Sequence, residues 1–487
     1  MKLQLIGHDE RYTVEQSLMH LLPGELPVYE PILSGDDNWC VVTLEETGLC
    51  RAVVELSDHG KTAKADSAAP LTGTEYEQEG QRRHLIARAF YRAACAVTGE
   101  TPPWGMLTGV RPDKLVTKAL SEGKTAEEAR TLLERDYFVT PQRAGLALET
   151  GSMALRAARK LEENDIAIYI GIPFCPTRCA YCSFVSHSVE RSFALVPPYV
   201  EALISEIRAG GEMVKAKGLR VRAFYMGGGT PTTLTAEQMD RVLTAFEESF
   251  DLTHCEEITV EAGRPDTITA EKLAVLKAHA VTRVSVNPQT MEDHVLKAIG
   301  RRHSAGDIDA AMELVGKYGF PHVNMDLIAG LPEDTPEGFQ RSLERCIAFG
   351  TDNVTVHTLA LKKGSRILTE GLSIPDAAAV AKMLETASPA LRSAGPAPYY
   401  LYRQKYMSGS FENIGWCKPG AECWYNIYIM SELCSILSFG AGGSTKMVGG
   451  DGRDIQRTFN PKYPKEYTER PEKWQANQAA FAAFYQD

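Results

Sequence analysis

Ile166-Ala-Ile-Tyr-Ile-Gly-Ile172, followed after two residues by Cys175-Pro-Thr-Arg-Cys179-Ala-Tyr-Cys182, decides how this chain is read. The first stretch is a short apolar run of strand type. The second sets three thiols within eight residues on the loop that leaves the strand. Thiolates at this spacing can converge on one cube of iron and sulfide and leave its fourth iron without a protein ligand. An open iron is a place for chemistry. The length of the chain and the scatter of its other cysteines (Cys40, Cys50, Cys95, Cys255, Cys346, Cys417, Cys423, Cys434) among apolar neighbours argue against a disulfide framework. A structural zinc site of the three cysteines and His187 is the rival reading. Such sites usually pair two ligand-bearing knuckles separated in sequence, and no second knuckle lies nearby.

Working outward, the chain from about Asp165 to Leu361 alternates β-branched runs with amphipathic helical patterns, the sequence form of repeated parallel βα units. Strands are predicted at Ile166–Ile172, Ala223–Met226, Glu257–Val260, Arg283–Val286, His322–Ile328 and Asn353–His357. Between them Val200, Leu203, Ile204 and Ile207 share one helix face, as do Ile308, Met312 and Val315 before Gly319. Six such units make most of a barrel, so the expected class is α/β, with an open (β/α)6 core over residues 164–375.

An α+β region is expected at residues 1–163. Its signals are a hairpin of Trp39–Leu44 with Cys50–Leu56 and helices at about Glu77–Val97, Thr125–Glu134 and Pro141–Leu161. The turn-rich Trp104–Pro112 reads as a helix connection or a docking loop. Residues 376–487 are expected to form a mainly helical region that covers the barrel and its substrate. There Tyr399-Tyr-Leu-Tyr-Arg-Gln-Lys405 is aromatic and basic together, and Phe439-Gly-Ala-Gly-Gly-Ser444 is a glycine turn without a dinucleotide fingerprint.

The 487 residues are 44% hydrophobic and 24% charged, a globular composition, with a net charge of −11 and no long basic run. Nucleic acid is therefore not an expected partner. Charge interrupts the first residues before a signal core forms, and no apolar stretch is long enough for a membrane span, so a cytoplasmic protein is expected. Arg301-Arg302-His303 and Arg403-Gln-Lys405 are local basic clusters, read either as solvated surface or as sites for an anionic small molecule.

In parallel barrels reactive groups gather at the carboxyl ends of the strands, where the loops converge. Here the cysteines follow the first strand and Gly227-Gly-Gly-Thr-Pro231 the second. Glu261 ends the third and Asn287-Pro-Gln289 the fourth, Asp326 lies in the fifth, and Ala360 stands just past the sixth. Three successive glycines allow close backbone approach to a ligand, with Thr230 and the loop amides as partners.

Cys-x3-Cys-x-aromatic-Cys, with Tyr181 as the aromatic residue, resembles the signature of the radical S-adenosylmethionine enzymes. Gly227-Gly-Gly-Thr-Pro-Thr232, Arg283-Val-Ser-Val-Asn-Pro-Gln289, Gly300-Arg-Arg-His303 and Asp326-Leu-Ile-Ala-Gly-Leu-Pro332 resemble successive motifs of the oxygen-independent coproporphyrinogen III oxidases. Leu107–Pro112 and Tyr402–Lys405 resemble the longer branch, coproporphyrinogen dehydrogenase. The resemblance implies a partial radical-SAM barrel, a 4Fe-4S cluster on Cys175, Cys179 and Cys182, and S-adenosylmethionine contacts from Tyr169, Gly228, Gly229, Thr230, Glu261, Gln289, Arg301, Asp326 and Ala360. It further implies an oxidoreductase of porphyrin and haem biosynthesis. A 5'-deoxyadenosyl radical would take a hydrogen from a propionate of coproporphyrinogen III, carbon dioxide and an electron would leave, and two such rounds would give protoporphyrinogen IX. No protein acid or base is obligatory, and no catalytic side chain is assigned. A tetrapyrrole substrate and a low-potential electron donor such as a flavodoxin or ferredoxin are the implied partners. Arg403 and Lys405 are the candidate propionate cations, with Tyr400 or Tyr402 flanking the macrocycle. One departure stands: Ser183 and Phe184 replace the glycine and cysteine that follow the third cysteine in the best-known members. The same replacement occurs in a related branch that binds haem and passes it on, so a haem chaperone is an alternative, as is a radical enzyme acting on another tetrapyrrole.

Overall fold

The structure, a computed structural model, describes all residues except 183–186, 189–191, 362–364, 405–407, 450–453 and 486–487. It divides into two units, Met1–Leu148 and Glu149–Asp487.

In the first unit, four strands form one sheet in sequence order: β1 (Lys2–Ile6), β2 (Trp39–Thr47), β3 (Leu49–Asp58) and β4 (Lys61–Ala69). The expected hairpin is β2–β3, turning at Gly48, whose φ of 85° suits glycine. Val42, Leu44, Ala52, Val54 and Leu56 alternate onto one face and pack with Ile86, Ala89, Phe90 and Ala93 of the helix Glu75–Thr98. That helix opens with a capping box in which the Thr74 and Glu77 side chains reciprocally bond the first-turn amides. The Trp104–Pro112 segment begins as packed connection: the amide of Met106 donates to Tyr137 O at 3.0 Å, and Trp104 is buried.

The second unit starts with β5 (Asp165–Ile172), then the short pair β6 (Phe174–Cys175) and β7 (His187–Ser188). The remaining parallel strands are β8 (Arg220–Gly228), β9 (Glu257–Gly263), β10 (Arg283–Val286), β11 (His322–Ala329) and β12 (Asn353–Thr358). They pair in the order β5-β8-β9-β10-β11-β12, and every expected strand is found. The crossover helices begin where a threonine or serine follows a strand-end loop, with Thr235, Thr269, Ser304 and Thr335 accepting from amides of the first turn.

Among the described residues, four helices lie in the C-terminal region together with five strands that the sequence pattern does not announce: β13 (Ala397–Tyr402), β14 (Asn413–Cys417), β15 (Ser435–Phe439), β16 (Ser444–Gly449) and β17 (Asp454–Phe459). β14 and β13 add antiparallel beyond β12, and β15 pairs in parallel with β5, followed by β16 and β17. The region expected as a cover is thus woven into both edges of the barrel sheet. Unpaired strand edges expose donors and acceptors, and this satisfies them.

Glu206, on the helix Val196–Ala216, fastens the C-terminal chain. Its buried carboxylate accepts from Gly440 N at 2.7 Å, Asn460 Nδ2 at 2.7 Å and the Tyr467 hydroxyl at 2.5 Å. Burial pushes its pKa up to about 7, against the downward pull of those hydrogen bonds. An unfolded glutamate titrates near 4.5, so between these values the folded state holds the extra proton. The stability this group lends is complete below about 4.5, falls as pH rises to about 7 and is flat above. In urea unfolding, Glu206→Gln is expected to show a midpoint that changes less between pH 5 and 7.5 than the parent's. Glu206→Ala, which strands buried donors, should cost about 1–3 kcal/mol.

Candidate functional site

Along the barrel strands the alternation is polar toward the interior and apolar toward the helices. Thr259 and Glu261, Arg283 and Ser285, Asn324 and Asp326, and Thr355 and His357 face a central cavity of about 390 Å³, while Val260, Val284, Met325, Leu327 and Val356 pack outside. The interior groups bond one another. Asn324 Nδ2 donates to Ser285 Oγ and to Asp326 Oδ1 at 2.9 Å each, and Thr355 Oγ1 donates to Asn324 Oδ1 at 3.2 Å.

Cys175, Cys179 and Cys182 all line this cavity. Two short backbone bonds fix the root of their loop: Gly229 N to Ile172 O and Thr230 N to Phe174 O, both 2.7 Å. A Cβ on Gly229 would stand 2.5 Å from Phe174 O, and Gly228 has φ +104°. The glycines are therefore required by strand-to-loop contact, and the amides of 229 and 230 are already engaged within the protein. Backbone packing by itself therefore demands glycine at 229. Further along, Ala180 N bonds Ile299 O at 2.9 Å and Thr177 Oγ1 bonds Gly300 O at 3.1 Å, tying the cysteine loop to the turn that carries Arg301. Thr230 Oγ1 reaches Cys175 Sγ at 3.6 Å. Among the described residues no three His, Cys, Asp or Glu side chains gather closely enough to hold a single ion, and the His187 side chain and residues Ser183 and Phe184 lie outside the described set.

Of the residues expected to meet S-adenosylmethionine, Gly228, Gly229, Thr230, Glu261, Gln289, Arg301, Asp326 and Ala360 line the same cavity as the thiols. Tyr169 stands behind the lining, its ring stacked on Tyr225 and Tyr425 at 6.2 and 6.1 Å. Arg301 is buried, donates to Asn287 O at 2.5 Å and to the Tyr181 hydroxyl at 3.2 Å, and keeps its charge firmly: burial opposes it, but Tyr181 and Cys179 outweigh the cost. Asn287 Oδ1, Gln289 Oε1 and Arg301 Nε have no hydrogen-bond partner among the described residues although they are buried in the wall. Two acceptors and a donor left open beside three thiols fit a cluster and the polar end of an amino-acid nucleotide. Gln289 also takes a left-handed φ of 68°, which for glutamine marks a constrained site.

The two inward carboxyls differ. Burial pushes Glu261 up to about 7, only partly offset by the Tyr225 hydroxyl that donates to its Oε1 at 2.5 Å. Burial pushes Asp326 up as well, but His357, with Nε2 3.8 Å from Oδ2, and the Asn324 amide hold it below the usual range.

Of the candidate substrate cations, Arg403 does not line the cavity. Arg403 is buried, donates through Nε and Nη2 to Ser410 O at 3.2 and 2.8 Å, and is lowered to about 10 by burial; Lys405 lies outside the described residues. The wall instead includes Tyr400 and Tyr402, with rings parallel to within 9° at 6.3 Å, and His357, whose Nδ1 meets the Tyr402 hydroxyl at 3.4 Å. Sequence reasoning did not single out Tyr225, Asn324, His357 or Cys423. The polar alternation along the strands was the signal that could have found the first three. No helix among the described residues is long and apolar enough to cross a membrane.

Comparison with known proteins agrees with this geometry. The radical SAM superfamily profile matches residues 169–346. The chain is 40% identical over 402 residues to the oxygen-independent coproporphyrinogen-III oxidase-like protein HemZ of Bacillus subtilis, spanning 82% of this chain and 80% of that protein. It is 31% identical over 313 residues to the heme chaperone HemW of Mycobacterium tuberculosis, spanning 63% of this chain and 74% of the relative. The fold is similar to that of the radical SAM coproporphyrinogen III oxidase HemN from Escherichia coli, with a TM-score of 0.53 at 22% identity over 66% of this chain and 72% of that one.

Two outcomes follow from the geometry. Gly229→Ala should lower stability by about 1–3 kcal/mol through backbone overpacking and lower the iron content of anaerobically purified protein. If Glu261 receives the ammonium of S-adenosylmethionine, affinity measured by equilibrium dialysis rises as the carboxyl ionises through pH 7, about tenfold from pH 6 to pH 8, and Glu261→Gln is flat over that range.

Proposed function

The chain belongs to the radical S-adenosylmethionine superfamily, within the oxygen-independent coproporphyrinogen-III oxidase-like family, and from that premise we propose that it converts propionates of coproporphyrinogen III to vinyl groups, giving protoporphyrinogen IX. The family's cofactors are a 4Fe-4S cluster and S-adenosylmethionine, which together supply methionine and a 5'-deoxyadenosyl radical when one electron enters. The observation that carries the reading is a single cavity combining the three thiols, open polar atoms and a flat tyrosine wall.

The chain's own contributions are orientation and exclusion of water. Cys175, Cys179 and Cys182, which line the cavity together, would hold the cluster. Glu261 and Asp326 take donors of the nucleotide, while Gln289, Asn287 and Arg301 supply the open acceptors and donor in the wall beside the thiols. Tyr400 and Tyr402 offer the macrocycle a parallel aromatic face. His357 stands beside them, set between Asp326 and Tyr402. Arg264 and Arg283 also reach the lining, but Arg264 is held bidentately by Asp266 at 2.9 and 2.8 Å, and Arg283 by Asn353 and the carbonyls of Ala421 and Glu422. They set the walls rather than bind substrate.

The second reading, a haem chaperone, is favoured by the likeness to HemW, which extends over 63% of the chain against 82% for the oxidase-like relative. Anaerobic incubation of reconstituted protein with dithionite, S-adenosylmethionine and coproporphyrinogen separates the two. Mono- and divinyl products with release of carbon dioxide are expected. Tight haem binding without vinyl product would transfer the assignment to the chaperone, and a different tetrapyrrole product would be exposed by its mass.

A further inference from the structure

In the run Tyr225-Met-Gly-Gly-Gly229 the loop root accounts for the second and third glycines and leaves the first unexplained. Gly227 has no positive φ, so its conformation is open to any residue; what a side chain would lack there is room. A Cβ on Gly227 would stand 2.9 Å from Cε1 of the Tyr225 ring and 3.0 Å from Cδ of Glu261. The two side chains meet over this glycine as a diagonal pair on neighbouring strands: Tyr225 of β8 lies opposite Thr259 of β9, and Glu261 is two residues farther on the same face. There the Tyr225 hydroxyl donates to Glu261 Oε1 at 2.5 Å, and among the described residues no other hydrogen bond reaches this carboxylate.

The phenol is held from behind. Its ring stacks on Tyr425 at 4.7 Å and 25°, and on Tyr169 at 6.2 Å and 16°. Tyr425 comes from the helix Trp424–Ser431 and Tyr169 from β5, so two distant stretches of chain fix one ring of β8. A ring so fixed directs its hydroxyl along one line and gives up little freedom in making the bond. Burial, and after it the charge of Glu261, push the Tyr225 phenol far above its ordinary value, so the group stays a neutral donor near pH 7. The other titratable groups that face Glu261 are Asp326 of β11, whose charge pushes the carboxyl up, and the phenols of Tyr169 and Tyr425, themselves raised by burial. Among these groups only the Tyr225 hydroxyl favours the ionised carboxylate against its burial.

We propose that Tyr225 is a positioning residue for the nucleotide: it ties down Oε1 of Glu261 and leaves the other oxygen to a cationic N–H donor such as the ammonium of S-adenosylmethionine. A bond to one oxygen of a carboxylate stabilises the anion and stops it turning, so a donor arriving from the cavity meets a charge already aimed. Gly227 belongs to the same device, since a side chain there would part the ring from the carboxyl. The inference deepens the reading of Glu261 given above and rests on it, and it does not depend on which tetrapyrrole is the substrate.

The test is equilibrium dialysis of S-adenosylmethionine against reconstituted full-length protein from pH 6 to pH 8.5, read as the ratio of parent to variant affinity so that titration of the ligand cancels. Tyr225→Phe keeps the ring and its stack and removes the donor. The Glu261 carboxyl then ionises about one pH unit higher, and the ratio is expected to be roughly tenfold at pH 6 and to fall within about twofold by pH 8.5. In the Glu261→Gln background the same substitution should change affinity by less than about twofold across the range. Should Tyr225→Phe cost iron, the midpoint is read in cluster-free protein from the infrared C=O stretch of the protonated carboxyl, identified by its loss in Glu261→Gln, and the same upward shift is expected. A ratio constant with pH, an unmoved C=O midpoint, or an undiminished effect in the Glu261→Gln background overturns the proposal. Parent affinity in Glu261→Gln at every pH overturns the reading of Glu261 and the proposal with it, whereas a loss in Glu261→Gln that grows with pH, beside a constant ratio in Tyr225→Phe, overturns the proposal alone.

Discussion

Two backbone hydrogen bonds, from the amides of Gly229 and Thr230 to the carbonyls of Ile172 and Phe174, set the geometry on which the site depends. They join the end of β8 to the root of the cysteine loop, and they need a residue without a side chain at 229 because the neighbouring groups are main chain and cannot move aside. With that root fixed, the loop is pinned farther along by the 299–300 turn, and Arg301 is brought to the Cys179 side of the cavity. The three thiols, the open polar atoms beside them and the charge of Arg301 are thus placed by one short stretch of main-chain contact.

The barrel interior is the second constraint. An ordinary small parallel barrel fills its centre with branched apolar side chains. Here Thr259, Ser285, Asn324 and Thr355 occupy those inward positions and satisfy one another or neighbouring carboxyls. The hydrophobic stabilisation lies instead between strands and helices, where Val260, Val284, Leu327 and Val356 are buried. A polar interior leaves room for a polar guest, and within one cavity burial raises Glu261 while His357, Asn324 and Thr355 hold Asp326 low.

How much of this was legible varies with the range of the interactions. The six barrel strands and the thiol loop could be read because their signals are local: β-branched runs, turn residues and fixed cysteine spacing. The first-unit strands β1 and β4 escaped notice, the latter because Lys61–Ala69 is built largely of alanine, serine and lysine, which carry little strand propensity. β14 and β15 owe their form to pairing with the distant strands β12 and β5, which no local pattern records, and β13, β16 and β17 are added to them by pairing with neighbours in sequence. Arg403 looked like a ligand because it is charged and sits among aromatics, and its burial against Ser410 is a tertiary fact. Reading the strands as generic apolar runs also hid the inward polar row, although Asn324-Met-Asp326-Leu and Thr355-Val-His357 spell out the alternation.

The pairing of β15 with β5 has a consequence for biosynthesis. The first barrel strand waits for a partner made roughly 260 residues later, a delay of about 13–50 s at ribosomal speeds of 5–20 residues per second. Throughout that interval one flank of Ile166–Ile172 presents unpaired main chain beside freshly emerged thiols. Nascent polypeptides in this condition invite misassembly and premature oxidation, which places a demand on the cell for chaperone holding and for metal delivery after translation ends.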